Sequence, residues 1–327
     1  MGGQLTGWSR ARHVGTAVAC VNRIPATVGY NVAYLALGLG LGASTAGAGG
    51  VDARVAAAYA TAVMLTKMAA SVADAIHDRD ADAINPEKSV VAEAVETLGP
   101  ARLWSLLVTE LAVGMALFGS VAVRVDAVWP LAAGAALSVL GFWYSFPPRL
   151  KERGLVNHLT TTTVDVALFV VPVGVVAGDG VTASFLVVGA VVFCYTFAYH
   201  LVHQAADVHY DRRAEMTTFA TRVGVDRTVA VAAVTTAAAG GFAVALGYPL
   251  GAVGTLAVTA LYVRIYAAVV DASGSARSDA VARSFNIAWV ATGLNLLMAV
   301  AVWRYAVGAA LPSLPLPSAL ALPLLSP

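Results

Sequence analysis

The chain has 327 residues, of which 59% are hydrophobic and 12% charged, and its mean hydropathy is +0.76. This composition excludes an ordinary soluble globular protein and indicates an integral membrane protein. The net charge is +1 and no basic cluster alternates with aromatic residues, so a nucleic-acid partner is not expected. Cys20 and Cys194 lie in apolar runs, which indicates neither a disulfide framework nor a thiolate metal site.

Long apolar windows recur along the chain, and each can cross about 30 Å of hydrocarbon with roughly 20 helical residues. The nine windows are residues 18–45, 53–76, 102–123, 127–146, 155–178, 182–206, 227–247, 249–270 and 284–307. The pattern predicts an all-α, polytopic membrane bundle of nine transmembrane helices. We expect an N-terminal segment (1–17), a transmembrane domain (18–307) and a proline-rich tail (308–327) that is too broken to form a tenth span.

The cations predict the orientation of the bundle, because Lys and Arg in short loops stay on the cytoplasmic side. With a cytoplasmic N-terminus, fourteen cations fall on the inner side and only three, Arg54, Arg124 and Arg304, on the other. An excess of Arg over Lys and a richness in Ala, Val and Gly suggest a prokaryotic source. We therefore expect a prokaryotic cell-membrane protein with its polar site on the cytoplasmic side.

An acidic stripe ends the second apolar window. Asp74, Asp78 and Asp82 are four residues apart, so on a helix they share one face over roughly 12 Å. Taken alone, the stripe is compatible with a divalent-metal site, a solvated helix end or part of an ion pathway.

A second acidic pair, Asp207 and Asp211, ends the sixth window with the same spacing. Two acidic helix ends on one side of a bundle could hold two Mg²⁺ ions around a diphosphate. His200 and His203 also precede Asp207 at a spacing compatible with zinc, but the oxygen-rich surroundings favour Mg²⁺.

A basic turn lies between the two clusters in the sequence FWYSFPPRLKERG. Pro147 and Pro148 end the fourth span, and the turn presents Arg149 and Lys151. Cations among carboxylates suit the binding of an anion with several oxygens, although the positive-inside rule alone also explains them.

These motifs resemble the UbiA superfamily of intramembrane prenyltransferases over about residues 15–305. Three blocks in order carry the resemblance: Asp74, Asp78, Asp82, Asn85, Pro86 and Lys88; then Tyr144, Ser145, Pro147, Pro148, Arg149, Leu150 and Lys151; then Asp207, Asp211, Thr218, Arg222, Val223 and Gly224. The family holds Mg²⁺ and the diphosphate of a polyprenyl donor with two aspartate-rich motifs. It then transfers the prenyl group to an acceptor such as an aromatic ring or a lipid.

The resemblance implies a role for each matching position. The implied metal ligands are Asp74, Asp78, Asp82, Asp207 and Asp211. The implied substrate-binding residues are Asn85, Lys88, Tyr144, Ser145, Arg149 and Lys151. Among these, Asp78, Asp207 and Tyr144 are expected to be catalytic, with the Tyr144 ring bordering the reacting end of the donor.

Asp165 is a further catalytic candidate, because an acid inside a span is costly and usually faces the bundle interior. It could orient an acceptor or act as a base, or it could simply bond a neighbouring helix as a protonated acid.

The expected function is a Mg²⁺-dependent prenyltransferase that moves the prenyl group of a polyprenyl diphosphate to a hydrophobic or amphipathic acceptor, such as an aromatic ring, a lipid or an isoprenoid. Membrane lipids are expected as further partners. The chain departs from the family pattern at Asp74-Ala75, where Asn-Asp is usual, which leaves the acceptor open. A membrane terpene cyclase is the nearest alternative, and an ion-coupled transporter is a more distant one.

Overall fold

The structure is a computed structural model that describes residues 7–47, 50–85 and 88–307, and these residues form helices joined by short connections without a β-strand. The α-helices, in chain order, are α1 (Gly7–Val21), α2 (Ile24–Ala46), α3 (Ala53–Ala83), α4 (Ser89–Arg124), α5 (Trp129–Ser145), α6 (Leu155–Thr162), α7 (Val171–Ala177), α8 (Ala183–Arg213), α9 (Phe219–Val223), α10 (Val225–Ala245), α11 (Pro249–Val270), α12 (Ala276–Ser284) and α13 (Ile287–Ala306). The all-α prediction is confirmed.

Eight helical segments in the described part of the chain are long and apolar enough to cross a membrane. They lie in α2, α3, α4, the continuous stretch from α6 to α7, α8, α10, α11 and α13. The fourth predicted window corresponds to α5, whose 17 residues are fewer than the roughly 20 that a perpendicular span needs. The count of nine and the orientation therefore stay predictions. The proline-rich tail 308–327 lies outside the described residues.

The first predicted window, 18–45, is divided in the structure. Helix α1 ends at Val21, and α2 begins at Ile24 with Pro25 in its first turn, where a missing N–H costs nothing. Arg23 between them has a left-handed backbone with φ 53°. The proposed boundary at residue 17 thus falls inside α1, and the turn brings the Arg23 side chain to the polar end of the bundle.

Helix α4 is broken near its beginning. Gly99 has φ 71°, and Pro100 follows it, so the helix restarts there in a new direction. The longer segment after the break corresponds to the third predicted window. The shorter segment packs Val91, Val95 and Leu98 against α1 and the end of α3 in a small hydrophobic cluster. Helix α1 and this segment therefore cover the end of α3 that carries the acidic stripe.

Small residues let α2 approach α7 closely. A Cβ on Gly42 would lie 2.7 Å from Cβ of Ala177, and Gly38 faces Val173 in the same way one turn earlier. Small residues spaced four apart are a common means of packing membrane helices. The main core lies beside this contact and includes buried Tyr34 on α2.

Helix α6 continues into α7 through a π-helical segment, Thr163–Val170. Its wider turns carry one more residue than α-helical turns, a feature that often occurs at functional sites. Asp165 lies in this segment and is only 4% exposed. The segment therefore holds an acidic side chain inside the bundle.

Candidate functional site

The ends of α3 and α8 meet the loop after α5 at a cavity of about 120 Å³. Its walls are predominantly polar. The lining residues are Arg23, Asp74, Asp78, Asp82, Lys88, Tyr144, Lys151, Asn157, His158, Thr161, His200, His203, Gln204, Asp207, Asp211, Met216 and Thr218. The acidic stripe of α3 and the acidic pair of α8 thus face the same space.

Lys151 is a buried cation in the cavity wall, next to the acidic stripe of α3. It lies in a 3₁₀ turn, Leu150–Glu152, and is 4% exposed. Its Nζ lies 3.0 Å from Oδ1 of Asp74 and contacts both carboxylate oxygens of Asp78. Helix α5 ends at Ser145 and the chain turns back at Phe146 and the two prolines, which brings Lys151 over α3.

Arg23 is the second cation on this side, and the sequence interpretation did not assign it to the site. Its Nη2 donates to Oδ2 of Asp74 at 2.6 Å. Ser145, a predicted substrate-binding residue, is fully buried and donates to Oδ1 of Asp74 at 2.6 Å. Asp74 is therefore bound on both oxygens by groups of the protein, and Ser145 acts on the carboxylate rather than lining the cavity.

Lys88 crosses from the beginning of α4 to the acidic pair. Its Nζ lies 2.9 Å from Oδ2 of Asp207. Burial alone would lower the pKa of Lys88, but the Asp207 carboxylate outweighs it and the pKa is raised overall. Lys88 therefore stays cationic beside α8. Asp211 accepts a hydrogen bond of 3.2 Å from the Thr218 hydroxyl.

The charges of the cavity are unbalanced. Its five carboxylates face three cationic groups, Arg23, Lys88 and Lys151, which leaves a formal excess of two negative charges. A diphosphate adds further negative charge, so it can enter only with additional cations. A hard divalent ion with oxygen ligands, such as Mg²⁺, suits this need.

The carboxylates that line the cavity have the oxygen ligands that such an ion prefers. Oδ2 of Asp82 is buried and has no hydrogen-bond partner among the described residues. Burial raises the pKa of Asp82 to about 6, although the nearby Arg23 and Lys88 act in the opposite direction. No three Asp, Glu, His or Cys side chains converge on one point in the described ranges.

Other predicted site residues lie at the edge of the cavity or behind it. The side chain of Arg149 is 44% exposed, pairs with Glu152 at 3.2 Å and contacts Nε2 of His77 at 2.8 Å. His77 in turn contacts Asp78 at 2.9 Å, so among the described residues His77 links Arg149 to the acidic stripe. Asn85 is buried just after α3, and its side-chain role stays a prediction.

Pro86 of the first motif lies outside the described residues.

Asp165 lies behind His200, whose Nε2 is 3.1 Å from Oδ2 of Asp165. The sequence interpretation named His200 only as a zinc candidate.

A second polar wall was missed entirely. Asn157, His158 and Thr161 on α6 line the cavity together with His200 and Gln204 on α8. Gln204 Oε1 accepts hydrogen bonds from Nε2 of His158 at 2.9 Å and from the backbone N–H of Ala220 at 3.1 Å. The available signal was the spacing: His200, Gln204, Asp207 and Asp211 repeat every three or four residues on one face of α8.

Comparisons with known proteins agree with this architecture. The model of the UbiA prenyltransferase family matches residues 34–290. No curated protein sequence matches the chain significantly.

Solved structures share the fold at low sequence identity. A UbiA homologue from Archaeoglobus fulgidus bound to GPP and Mg²⁺ has a TM-score of 0.63 at 14% identity, covering 88% of this chain and 99% of its own. The same homologue bound to DMAPP and Mg²⁺ has a TM-score of 0.60 at 16% identity, covering 88% and 99%. A structure described for digeranylgeranylglyceryl phosphate synthase has a TM-score of 0.61 at 11% identity, covering 89% and 99%.

The family model spans most of the chain, and the acidic ends of α3 and α8 meet in one cavity at one end of a membrane bundle. The chain belongs to the UbiA prenyltransferase family.

Proposed function

We propose that this chain transfers the prenyl group of an allylic prenyl diphosphate to a hydrophobic or amphipathic acceptor, an aromatic ring, a lipid or an isoprenoid, with Mg²⁺ as cofactor. The observation that carries the proposal is the meeting of two acidic helix ends and three cations in one cavity. Structures of a UbiA homologue from Archaeoglobus fulgidus with the same fold contain GPP or DMAPP together with Mg²⁺, which supports a prenyl diphosphate as donor.

The metal would be held by carboxylates from both helices. On α3, Asp78 and Asp82 are the proposed ligands, with Asp74 as an orienting partner or ligand; on α8 they are Asp207 and Asp211. Bound there, Mg²⁺ supplies Lewis-acid stabilisation of the negative charge that develops on the diphosphate.

The cations of the chain assist the departure of the diphosphate. Lys88 and Lys151 lie on opposite sides of the cavity, each already beside a carboxylate, and can turn toward phosphate oxygens. Positioned cations of this kind stabilise a leaving anion more strongly in a site with little water. Tyr144 lines the same cavity at the end of α5, so its ring can border the reacting carbon of the donor.

The cavity mouth is proposed to face the cytoplasm, with residues 18–307 forming the catalytic domain. Support comes from the cations: Arg149, Arg153, Arg212 and Arg213 lie near the motif-bearing helix ends, as the positive-inside rule expects of a cytoplasmic face.

The test uses the full chain in detergent micelles with geranylgeranyl diphosphate as donor and a hydrophobic phenol, 4-dodecylphenol, as acceptor. Wild-type protein is expected to release diphosphate in a Mg²⁺-dependent manner. Asp78→Asn and Asp207→Asn each remove one proposed ligand and are expected to abolish most of this release. Asp80→Asn is the matched control, because Asp80 lies on the same helix end with its side chain 89% exposed.

Unchanged release in both ligand variants would falsify the metal assignment. The same reaction without acceptor separates transfer from cyclisation, because a cyclic hydrocarbon product identifies a membrane terpene cyclase, whereas inert donor supports transfer.

A further inference from the structure

A second cavity, of about 290 Å³, lies outside the proposed active site. It is formed by the end of α8, the beginning of α10 and the connection that leads from α11 into α12. It is more than twice as large as the active-site cavity of about 120 Å³. None of its lining residues has a part in the proposed transfer reaction.

The second cavity lies at the level of the membrane interface. Val208 and Arg212 of α8 line it, and both follow the end of the apolar window 182–206. Asp207 and Asp211 line the active-site cavity instead, because each residue turns the helix by about 100° and the two pairs lie on different faces. The end of α8 therefore lies between two cavities at the same end of the bundle, where lipid headgroups meet the protein.

The charge of the second cavity is opposite to that of the active site. Arg212, Arg277 and His209 line it, and no carboxylate among the described residues does. Arg212 forms no ion pair with a described residue. Nη1 of Arg277 has only a long ion pair, 3.9 Å from Oδ1 of Asp226. In the active site, by contrast, each cation lies within 3.0 Å of a carboxylate. An anion can therefore bind in the second cavity directly, without a metal ion.

Hydrogen-bond donors accompany the two arginines. Ser273 and Ser275 line the cavity and are exposed. Ser275 is the N-cap residue of α12, yet its side chain makes no capping hydrogen bond, so it is available to a ligand. Guanidinium groups bind phosphate oxygens in a bidentate manner, and hydroxyl groups complete such a site. The donor set therefore suits a phosphate group.

Apolar groups lie beside these donors. Val208 and Val225 line the cavity and are both buried. Gly224, which belongs to the third motif block and does not line the active site, lies next to Val225 in the same wall. A phosphate ester with carbon atoms next to the phosphate can use both kinds of surface. Basic pockets between membrane helices on the cytoplasmic side commonly take the headgroups of anionic lipids.

We propose that the second cavity binds a phosphate group, with Arg212 and Arg277 as the binding residues. Its level at the membrane interface and its two valines favour the headgroup of an anionic phospholipid as the source, and free phosphate is the other source of the same chemistry. A bound phosphate joins α8 to α12 and so holds the helix end that carries the acidic pair. The site is separate from the proposed transfer reaction and does not depend on it.

The experiment uses the full chain, purified in dodecyl maltoside micelles and freed of lipid. It is titrated with phosphatidylglycerol, whose binding is counted by native mass spectrometry, and in a separate arm with inorganic phosphate, whose binding is measured by calorimetry. We expect the wild-type protein to retain one phosphatidylglycerol at this site. Arg212→Gln should weaken this binding about 10-fold and Arg212→Gln/Arg277→Gln about 100-fold, the range for loss of hydrogen bonds to charged groups.

The matched control is Arg213→Gln/Arg283→Gln. These arginines lie on the same two helices, are exposed and do not line the cavity, so the control loses the same charge elsewhere. Ser273→Phe is the converse variant, because it fills the cavity without changing the charge, and it should lose binding as well. Thermal unfolding without lipid checks that each variant is folded. Arg212→Gln breaks no ion pair with a described residue, so it should unfold at the wild-type temperature.

The two arms distinguish the sources of the phosphate. Loss of phosphatidylglycerol binding in the cavity variants, with weak binding of inorganic phosphate throughout, supports the lipid headgroup. Tight binding of inorganic phosphate that the same variants lose supports free phosphate as the source. Equal weakening in Arg213→Gln/Arg283→Gln would reveal attraction to surface charge alone and overturn the site. Wild-type binding of both probes in Arg212→Gln/Arg277→Gln would overturn it too.

Discussion

Nζ of Lys88 lies 2.9 Å from Oδ2 of Asp207, which joins the beginning of α4 to the acidic end of α8 across the cavity. The cation therefore sits where a diphosphate bound at α8 would need one. Its neighbours on the opposite wall, Lys151 and Arg23, are bound to Asp74 in the same manner. Each cation of the cavity is stabilised by a carboxylate until an anion arrives.

Lys88→Gln should weaken binding of the Mg²⁺-loaded donor. A hydrogen bond to a charged group contributes about 1.5–3 kcal/mol, which corresponds to roughly a 10- to 150-fold rise in Kd. Isothermal titration with a non-hydrolysable prenyl diphosphate analogue measures the change. Arg79→Gln is the control, because Arg79 is half exposed and its ion pairs with described residues are to exposed Asp80 and Glu96. Equal donor affinity in the two variants contradicts a diphosphate contact at Lys88.

Lys151→Met should destabilise the fold as well as the site. Lys151 is 4% exposed, and its removal leaves Asp74 and Asp78 with one cation fewer in a buried position. Loss of one partner of a buried ion pair costs about 3–5 kcal/mol. Thermal unfolding in detergent without Mg²⁺ measures this cost.

The double variant Lys151→Met/Asp78→Asn should recover part of that stability, because it removes the uncompensated charge. Arg153→Met serves as the control, since Arg153 is exposed and its replacement should change the unfolding free energy by less than about 0.5 kcal/mol. A double variant no more stable than Lys151→Met would count against the ion pair as the cause.

The sequence predicted the parts of the site that depend on spacing along one helix. Asp74, Asp78 and Asp82 share a face of α3, and Asp207 and Asp211 share a face of α8, because the helical period is local. The basic turn was visible from its prolines. Pairings between helices were not predictable in this way, because they depend on packing between distant segments.

Arg23 and Lys67 illustrate that limit. The sequence analysis gives neither of them a role, yet Arg23 binds Asp74 and Lys67 binds Asp165, 98 residues away in the chain. A cation inside an apolar window is costly unless a carboxylate compensates it. The presence of a partner could thus be inferred from the sequence, but its identity could not. The break of α4 at Gly99-Pro100, by contrast, carried a local signal that was overlooked.

Gly42→Ala and Gly293→Ala should change stability in opposite directions. Alanine favours a helix over glycine by up to about 1 kcal/mol. At Gly293 on α13 nothing lies within 4 Å of the new Cβ, so the variant should be stabilised. At Gly42 the Cβ would lie 2.7 Å from Ala177, and overpacking costs about 1–3 kcal/mol. Thermal unfolding of both variants measures the difference, and a stabilised Gly42→Ala contradicts the close approach of α2 and α7.

Cysteine labelling tests the orientation and the membrane crossing of α5 together. Arg124 and Arg153 flank α5 and are both exposed. In a background with Cys20→Ala and Cys194→Ala, we expect a membrane-impermeant maleimide to label Arg124→Cys in intact bacterial cells and Arg153→Cys in inverted vesicles. Fourteen of the cations are predicted to lie on the cytoplasmic side, which sets the orientation. Helix α5 is predicted to cross the membrane although it has only 17 residues. Labelling of both positions from one side would exclude α5 as a span, and a reversed pattern would place the cavity on the outer face.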